Sequence, residues 1–212
     1  MVKYATSISL DGFTAGVDQS LENPIGVGGM RLHDWIRELA FWREAHGGEG
    51  GIETPSTAVL QSAGENVGAH VMGRNMFGGG PGPWGDDPWN GWWGENPPFH
   101  VPVFVLTHHE RDPLACDGGT TFTFVTDGVE SAMAQAKEAA AGRDVQISGG
   151  STVARQALAA GLLDEIRLDL VPVLVGRGVR LFEDGDAFGE LEQISAVEGR
   201  GVTHLTYRVP AA

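Results

Sequence analysis

The sequence predicts an α/β fold: a three-layer αβα sandwich around a mixed, mostly parallel sheet with an antiparallel C-terminal edge. Short apolar runs alternate with helix-period segments early in the chain, the pattern of strand–helix–strand units. Strand-like runs dominate late, after Leu163, where an antiparallel edge is expected. No internal repeat is present, which excludes a solenoid.

The elements follow in order. Residues 2–10 read as a central strand, with a loop from Asp11 to about Gly29. Residues 31–46 place Leu32, Trp35, Ile36, Leu39 and Trp42 on one helix face, and Gly47 to Gly51 end that helix. A short helix spans 55–63, starting near Thr54 with Pro55 at its first position, where the missing N–H is not needed. Val67 to Met72 is a strand. From Phe77 to Pro98 the chain is rich in Gly and Pro and carries Trp84, Trp89, Trp92 and Trp93, so it continues neither helix nor strand. Strands are expected at 101–107 and 120–125, an alanine-rich helix at 130–141, a strand at 145–148, and a helix at 152–160 ended by Gly161. A long strand spans 165–174, with Pro172 at a bulge or edge, followed by strands at 180–182, 188–196 and 203–209.

The length of 212 residues suits a single domain, 1–212, with the tract at about 77–98 as a loop insertion. Hydrophobic residues make up 42% of the chain, enough for a large core. The longest apolar stretches are strand-length, and nothing resembles a signal peptide or a membrane span, so no membrane partner is expected. The single cysteine, Cys116, excludes an internal disulfide and fits the reducing cytoplasm. Its acidic neighbours Asp112 and Asp117 point to an inert thiol. A net charge of −14, from 14 basic and 28 acidic residues, argues against a nucleic-acid partner. An anionic ligand would need a local basic patch on this acidic body, and Arg74, His108, His109 and Arg111 are the candidates.

The most informative run is Val145 to Ala154, in which a strand ends in Ser148-Gly149-Gly150 and a helix begins at Ser151-Thr152-Val153. Ser151 or Thr152 is placed to cap that helix, glycine lets a ligand approach the backbone, and the free N–H groups favour an anion. The same run also reads as a plain strand-to-helix turn, and it lacks the G-x-G-x-x-G spacing of the Rossmann fingerprint. Met72-Gly73-Arg74-Asn75 is a second strand end, offering a guanidinium fork to phosphate or, equally, a surface partner to a carboxylate. Thr107-His108-His109 is a third. Adjacent histidines on extended chain face opposite ways, so no metal site is expected.

Together with Tyr4 to Gly16 and Leu163 to Gly176, these segments in this order resemble the dihydrofolate reductase-like superfamily. Within it they are most similar to the reductase domain of the bifunctional riboflavin-biosynthesis deaminase-reductase and its stand-alone bacterial relatives. The resemblance covers nearly the whole chain. It implies an NADPH-dependent reductase, riboflavin-pathway-like, that passes a hydride to a small polar or heterocyclic acceptor, and a homodimer. By that likeness Gly73, Arg74 and Asn75 lie at the cofactor phosphates, with Met76 where many relatives carry Thr. Ser148, Gly149, Gly150, Ser151, Thr152 and Val153 cradle the pyrophosphate. Thr107 and His108 hold the 2′-phosphate, with His109 or Arg111 adding charge. Ala15 and Gly16 match backbone beside the nicotinamide. Asp11-Gly12 matches the family's Leu-Asp-Gly, and is also an ordinary turn pair.

Hydride transfer needs a proton donor, for which Asp11, His33 and Asp34 are the candidates. Asp34 also reads as a first-turn acid on a helix dipole. The tryptophan tract is expected to wall the acceptor site, with Trp84, Trp89, Trp92 and Trp93 stacking on substrate, or else to pin a long loop to the body or cover a dimer interface. Two other classes stay open: a catalytically silent NADP(H)-binding protein on the same scaffold, and a non-enzymatic module whose tryptophans stack on sugars or bases.

Overall fold

The computed structural model describes residues 1–183 and 189–210. In chain order the elements are β1 (Val2–Ser9), β2 (Phe13–Ala15), a 3-10 turn (Gly29–His33), α1 (Asp34–Arg37), α2 (Ala40–Ala45), α3 (Pro55–Gly64), β3 (Val67–Gly73) and α4 (Arg74–Phe77). Then come β4 (Pro102–Leu106), β5 (Leu114–Ala115), β6 (Thr121–Val125), α5 (Val129–Ala140), β7 (Asp144–Ser148), α6 (Ser151–Ala159), β8 (Glu165–Val171), β9 (Val179–Arg180), β10 (Glu192–Gly199) and β11 (Val202–Arg208). Among the described residues the main sheet has the strand order β10-β11-β8-β1-β7-β3-β4-β6-β5, and β2 pairs with β9 separately. The pairs β1–β7, β7–β3, β3–β4 and β4–β6 are parallel. The β10–β11 and β5–β6 pairs are antiparallel. The mixed sheet with an antiparallel C-terminal edge is therefore as expected. The central strands are apolar in unbroken runs, as in Val103, Phe104 and Val105, because parallel strands are covered on both faces.

The chain divides into two compact units. The first contains Met1–Tyr4 and Asn66–Glu165. Its core is Met72, Phe77, Val103, Val105 and Phe122. Helix α5 buries Val129, Ala132, Met133, Ala136 and Ala140, a stripe at helical spacing, and it packs on β3 and β4. The second contains Ala5–Glu65 and Ile166–Pro210. Its core is Leu32, Trp35, Leu39, Val171 and Val202.

Several expectations need correction. The helix expected over 31–46 is broken: Leu39 is extended, between α1 and α2. The apolar stripe of Leu32, Trp35 and Leu39 is still buried, but Leu39 bridges to Ile52, with Ala40 N donating to Ile52 O and Ile52 N to Glu38 O. Tertiary pairing thus replaces helical hydrogen bonds at that point. The loop after Asp11 contains β2, which takes β9 as partner, so the segment near Arg180 is not part of the main sheet. Strand β8 stops at Val171, one residue before Pro172, which has no N–H to extend a ladder. The strand expected over 188–196 lies at Glu192–Gly199, and Phe188 falls outside the described residues.

Candidate functional site

In the first unit two strand-to-helix junctions brace one another. Strand β7 ends at Ser148, and α6 starts at Ser151 after Gly149 and Gly150. Gly149 has φ +71, and a Cβ there would lie 2.7 Å from the Met76 side chain. A Cβ on Gly73 would in turn lie 3.1 Å from Val153. The start of α4 therefore packs over the Gly149 turn, and the start of α6 packs over Gly73. This brings Gly73, Arg74, Asn75, Ser148, Gly149, Gly150, Ser151, Thr152 and Val153 into one region. Met76, where a hydroxyl was expected in relatives, instead supplies the apolar brace. The N-cap of α6 is Gly150 rather than Ser151 or Thr152, and a glycine has no side chain with which to cap. Ser151 is already inside the helix and 2% exposed. The N–H groups of a helix start carry partial positive charge.

The tryptophan tract is built into this unit rather than left as free rings. Helix α4 is one turn long, so the carbonyls of its last residues lack helical donors. The Nε1–H groups of Trp92 and Trp89 donate to Met76 O and Phe77 O, each at 2.9 Å. Trp84 Nε1 donates to His109 O at 3.0 Å. Trp93 stacks on Phe122 and meets Phe99 edge-on. Arg74 turns toward the same tract: its Nε and Nη2 donate to Gly78 O and Gly79 O, and its guanidinium sits 3.0 Å from the Trp84 ring centre. Nη1 of Arg74 is buried without a partner. Arg111 donates to Trp89 O and Asn90 Oδ1, and lies 4.7 Å from the Trp84 ring centre. Burial and the neighbouring Arg111 push the Arg74 pKa down.

At the end of β4, Thr107 is buried and its Oγ1 accepts from His109 N at 3.2 Å, which leaves its hydroxyl proton free to donate. His108 is exposed beside it. Cys116 is half-buried; burial, then Asp117, raises its pKa, as its acidic neighbours led one to expect.

The second unit holds Asp11, Ala15, Gly16, His33 and Asp34. Ser9 Oγ donates to Asp11 Oδ1 at 2.5 Å, and Val175 N and Gly176 N donate to its two oxygens at 3.1 and 2.7 Å. These bonds, the Ser9 hydroxyl first, hold the Asp11 carboxyl down at about 2. Asp11 accepts three hydrogen bonds and so clamps the loop after β8. Because the folded value lies below the ordinary 3.8, the clamp contributes stability above about pH 4 and loses it as pH falls toward about 2. Acid unfolding of Asp11→Asn should therefore lack this component, so that the two proteins' thermal midpoints converge as pH is lowered. A difference that stays constant from pH 6 to about 2 would refute the clamp.

Ala15 is buried in β2, and Gly16 N donates to Ile25 O at 2.8 Å. A Cβ at Gly16 would collide with the backbone of Val27, 2.0 Å away, so this position is tight within its own loop. His33 lies in the 3-10 turn with its Nδ1 buried without a partner. Burial lowers its pKa. Asp34 is the first-turn acid of α1, its side chain 64% exposed and 3.8 Å from Arg37.

Sequence reading missed a buried network in the same unit. His204 Nδ1 lies 2.7 Å from Asp169 Oδ1, and its Nε2 lies 2.8 Å from Ser56 Oγ. Arg167 donates to both Asp169 oxygens. Trp35 meets His204 edge-on and donates to Ser7 Oγ. The order Ser–His–Asp mimics a nucleophile triad, but Ser56 and His204 are 1% exposed and Asp169 4%. The Gly199 backbone lies so close over Ser56 Oγ that a Cβ there would sit 2.2 Å away. No acyl group reaches that hydroxyl, so the network is structural. No signal in the sequence pairs residues 35 and 148 positions apart. Among the described residues there is no group of three or more His, Cys, Asp or Glu able to hold a metal, and no helix long and apolar enough to cross a membrane.

This sheet, with glycine-led helix starts at its parallel strand ends, defines an α/β protein of the dihydrofolate reductase-like fold. The chain belongs to the RibD C-terminal domain family, whose pattern matches residues 1–203. Among solved structures, it resembles a putative riboflavin biosynthesis protein from Shewanella sp. PV-4, at 20% identity and TM-score 0.59, over 99% of this chain and 98% of that one. It also resembles a pyrimidine reductase-like protein from Corynebacterium diphtheriae, at 14% identity and TM-score 0.56, over 100% and 92% of the two chains. A third likeness is to dihydrofolate reductase from Enterococcus faecalis complexed with NADP(H), at 16% identity and TM-score 0.52, over 98% and 95%. At these identities the likeness shows the fold. No curated protein matches the chain.

Proposed function

We propose that this protein is an NADPH-dependent reductase, riboflavin-pathway-like, that passes a hydride to a small polar or heterocyclic acceptor in the cytoplasm. The observation that carries this reading is the braced pair of junctions in the first unit: an α6 start with a glycine N-cap after Gly149, packed against the Arg74-bearing start of α4. Such a helix start suits a pyrophosphate. Family membership and the NADP(H) complex of the Enterococcus protein support the choice of cofactor. The nicotinamide supplies the hydride; the protein's share is binding, orientation and water exclusion.

Calorimetry with NADPH tests the reading. NADPH should bind more tightly than NADH by about tenfold or more, because a charged phosphate contact at Thr107, His108 and Arg74 contributes about 1.5–3 kcal/mol. Equal affinities would remove those residues from the 2′-phosphate, and no binding of either would end the reductase reading.

One observation favours a second reading, a catalytically silent NADP(H) binder on the same scaffold. Asp11 is clamped by three donors, His33 has its pKa lowered by burial and Asp34 is a solvated surface acid, so none of the three is placed as a buried carboxylic acid. Loss of NADPH absorbance across a panel of small heterocyclic acceptors separates the two readings. The sugar- or base-stacking module is the weaker alternative, since the tryptophan rings are engaged within their own unit.

The homodimer belongs to the same proposal. Strand β10 is an edge of the main sheet, with Leu191 and Ile194 exposed on or beside it, and a bare apolar edge invites a second copy. Light scattering should give twice the chain mass of 22.4 kDa; a monomer at tens of micromolar would refute the pairing.

A further inference from the structure

His70 sits on β3, diagonal to Ser148 on the neighbouring parallel strand β7, where Met72 is the residue opposite Ser148. Its Nδ1 lies 2.8 Å from Ser148 Oγ. Its ring is held edge-on by Phe99 at 4.9 Å, and Phe99 is in turn packed against Trp93 and Phe122. The imidazole orientation is therefore set by the same aromatic cluster that anchors the tryptophan tract. Ser148 is the last residue of β7, half-buried, and leads directly into the Gly149 turn and the start of α6.

We infer that His70 is a positioning residue: through its Nδ1 it aims the Ser148 hydroxyl proton at an anionic oxygen of the ligand seated on the Gly149-Gly150 turn. This rests on the cofactor reading above. A serine hydroxyl has one proton and two lone pairs. If Nδ1 of a neutral ring carries the proton, it donates into Oγ, and the hydroxyl must point its own proton elsewhere. If Nδ1 is bare, it takes that proton and only lone pairs face the ligand. A phosphate oxygen accepts and does not donate, so it selects the first arrangement. Burial supports this by pushing the imidazole down to about 4, so the ring is neutral across the physiological range and both tautomers are open to selection.

The test is NADPH calorimetry on wild type, His70→Leu, His70→Asn, Ser148→Ala and the double variant His70→Leu/Ser148→Ala, with thermal midpoints alongside. Losing a hydrogen bond to a charged phosphate should weaken binding about tenfold in His70→Leu and in Ser148→Ala. Because His70 acts through Ser148, the double variant should be no weaker than Ser148→Ala, within about twofold. His70→Asn places an amide N–H where Nδ1–H stood, and should restore binding to within about twofold of wild type. Multiplying effects in the double variant, unchanged affinity in His70→Leu, or no rescue by His70→Asn would each overturn the inference while leaving the cofactor reading in place. Absence of NADPH binding by wild type would overturn both, and that result is visible before any variant is made.

Discussion

Replacing Asp169 by alanine should lower the thermal midpoint by roughly 6–20 °C. The change strands Arg167 and His204, whose side chains are largely buried and share that carboxylate. Removing one partner of a buried charged pair costs about 3–5 kcal/mol, since the remaining charge keeps its desolvation penalty. For a chain of this length each kcal/mol moves the midpoint by about 2–4 °C. Ser56→Ala, which removes a neutral hydroxyl from the other side of His204, should cost only about 1 kcal/mol. Differential scanning calorimetry on the two variants checks both values. Equal, small shifts would mean that the Arg167–Asp169–His204 contacts contribute no net stability. Hydrolysis of a small activated ester that is lost in Ser56→Ala would instead show that the hydroxyl is reachable, against its 1% exposure.

Trp84→Ala should also be costly, and in a way that tells a pin from a substrate wall. The Trp84 ring meets Phe77 and Phe124 edge-on, faces the Arg74 and Arg111 guanidinium groups, and donates to His109 O. Truncating a packed Trp costs about 3–5 kcal/mol; the ring is half-buried, so the lower end applies, a fall of about 6–12 °C. Arg74 would lose its aromatic cover while keeping its bonds to Gly78 and Gly79. A stable Trp84→Ala protein with unchanged NADPH affinity and altered acceptor preference would instead support the substrate-wall role. The same comparison on Trp92→Ala probes the α4 end alone, because its indole N–H donates to Met76 O.

The candidate cofactor residues were legible in the chain because they are local. Strand, Ser-Gly-Gly and helix start lie in ten consecutive residues, and Gly73-Arg74 adjoins its own strand. What those residues do was not legible in full. Ser151 and Thr152 are the cap candidates of the sequence, yet the helix begins sooner, with Gly150 as N-cap. Arg74 reads in the sequence as a fork for phosphate or a surface partner for a carboxylate, yet it spends two donors on Gly78 O and Gly79 O. Asp11 and His33 are proton-donor candidates by their places in the family's first-strand signature and first-helix segment. Their charge states come from Ser9, Val175, Gly176 and burial, and Val175 and Gly176 are more than 160 positions away from Asp11.

The sequence by itself determined the alternation of elements, the parallel centre with its antiparallel C-terminal edge, and the glycine-paired helix start. Each depends on the period of apolar side chains or on backbone freedom within a few residues. Only the tertiary structure decided the break at Leu39, the use of the tryptophans as hydrogen-bonded anchors, and the Ser56–His204–Asp169 network. In each of these, a buried polar or backbone group had to find a partner, and the partner that satisfied it came from a distant part of the chain.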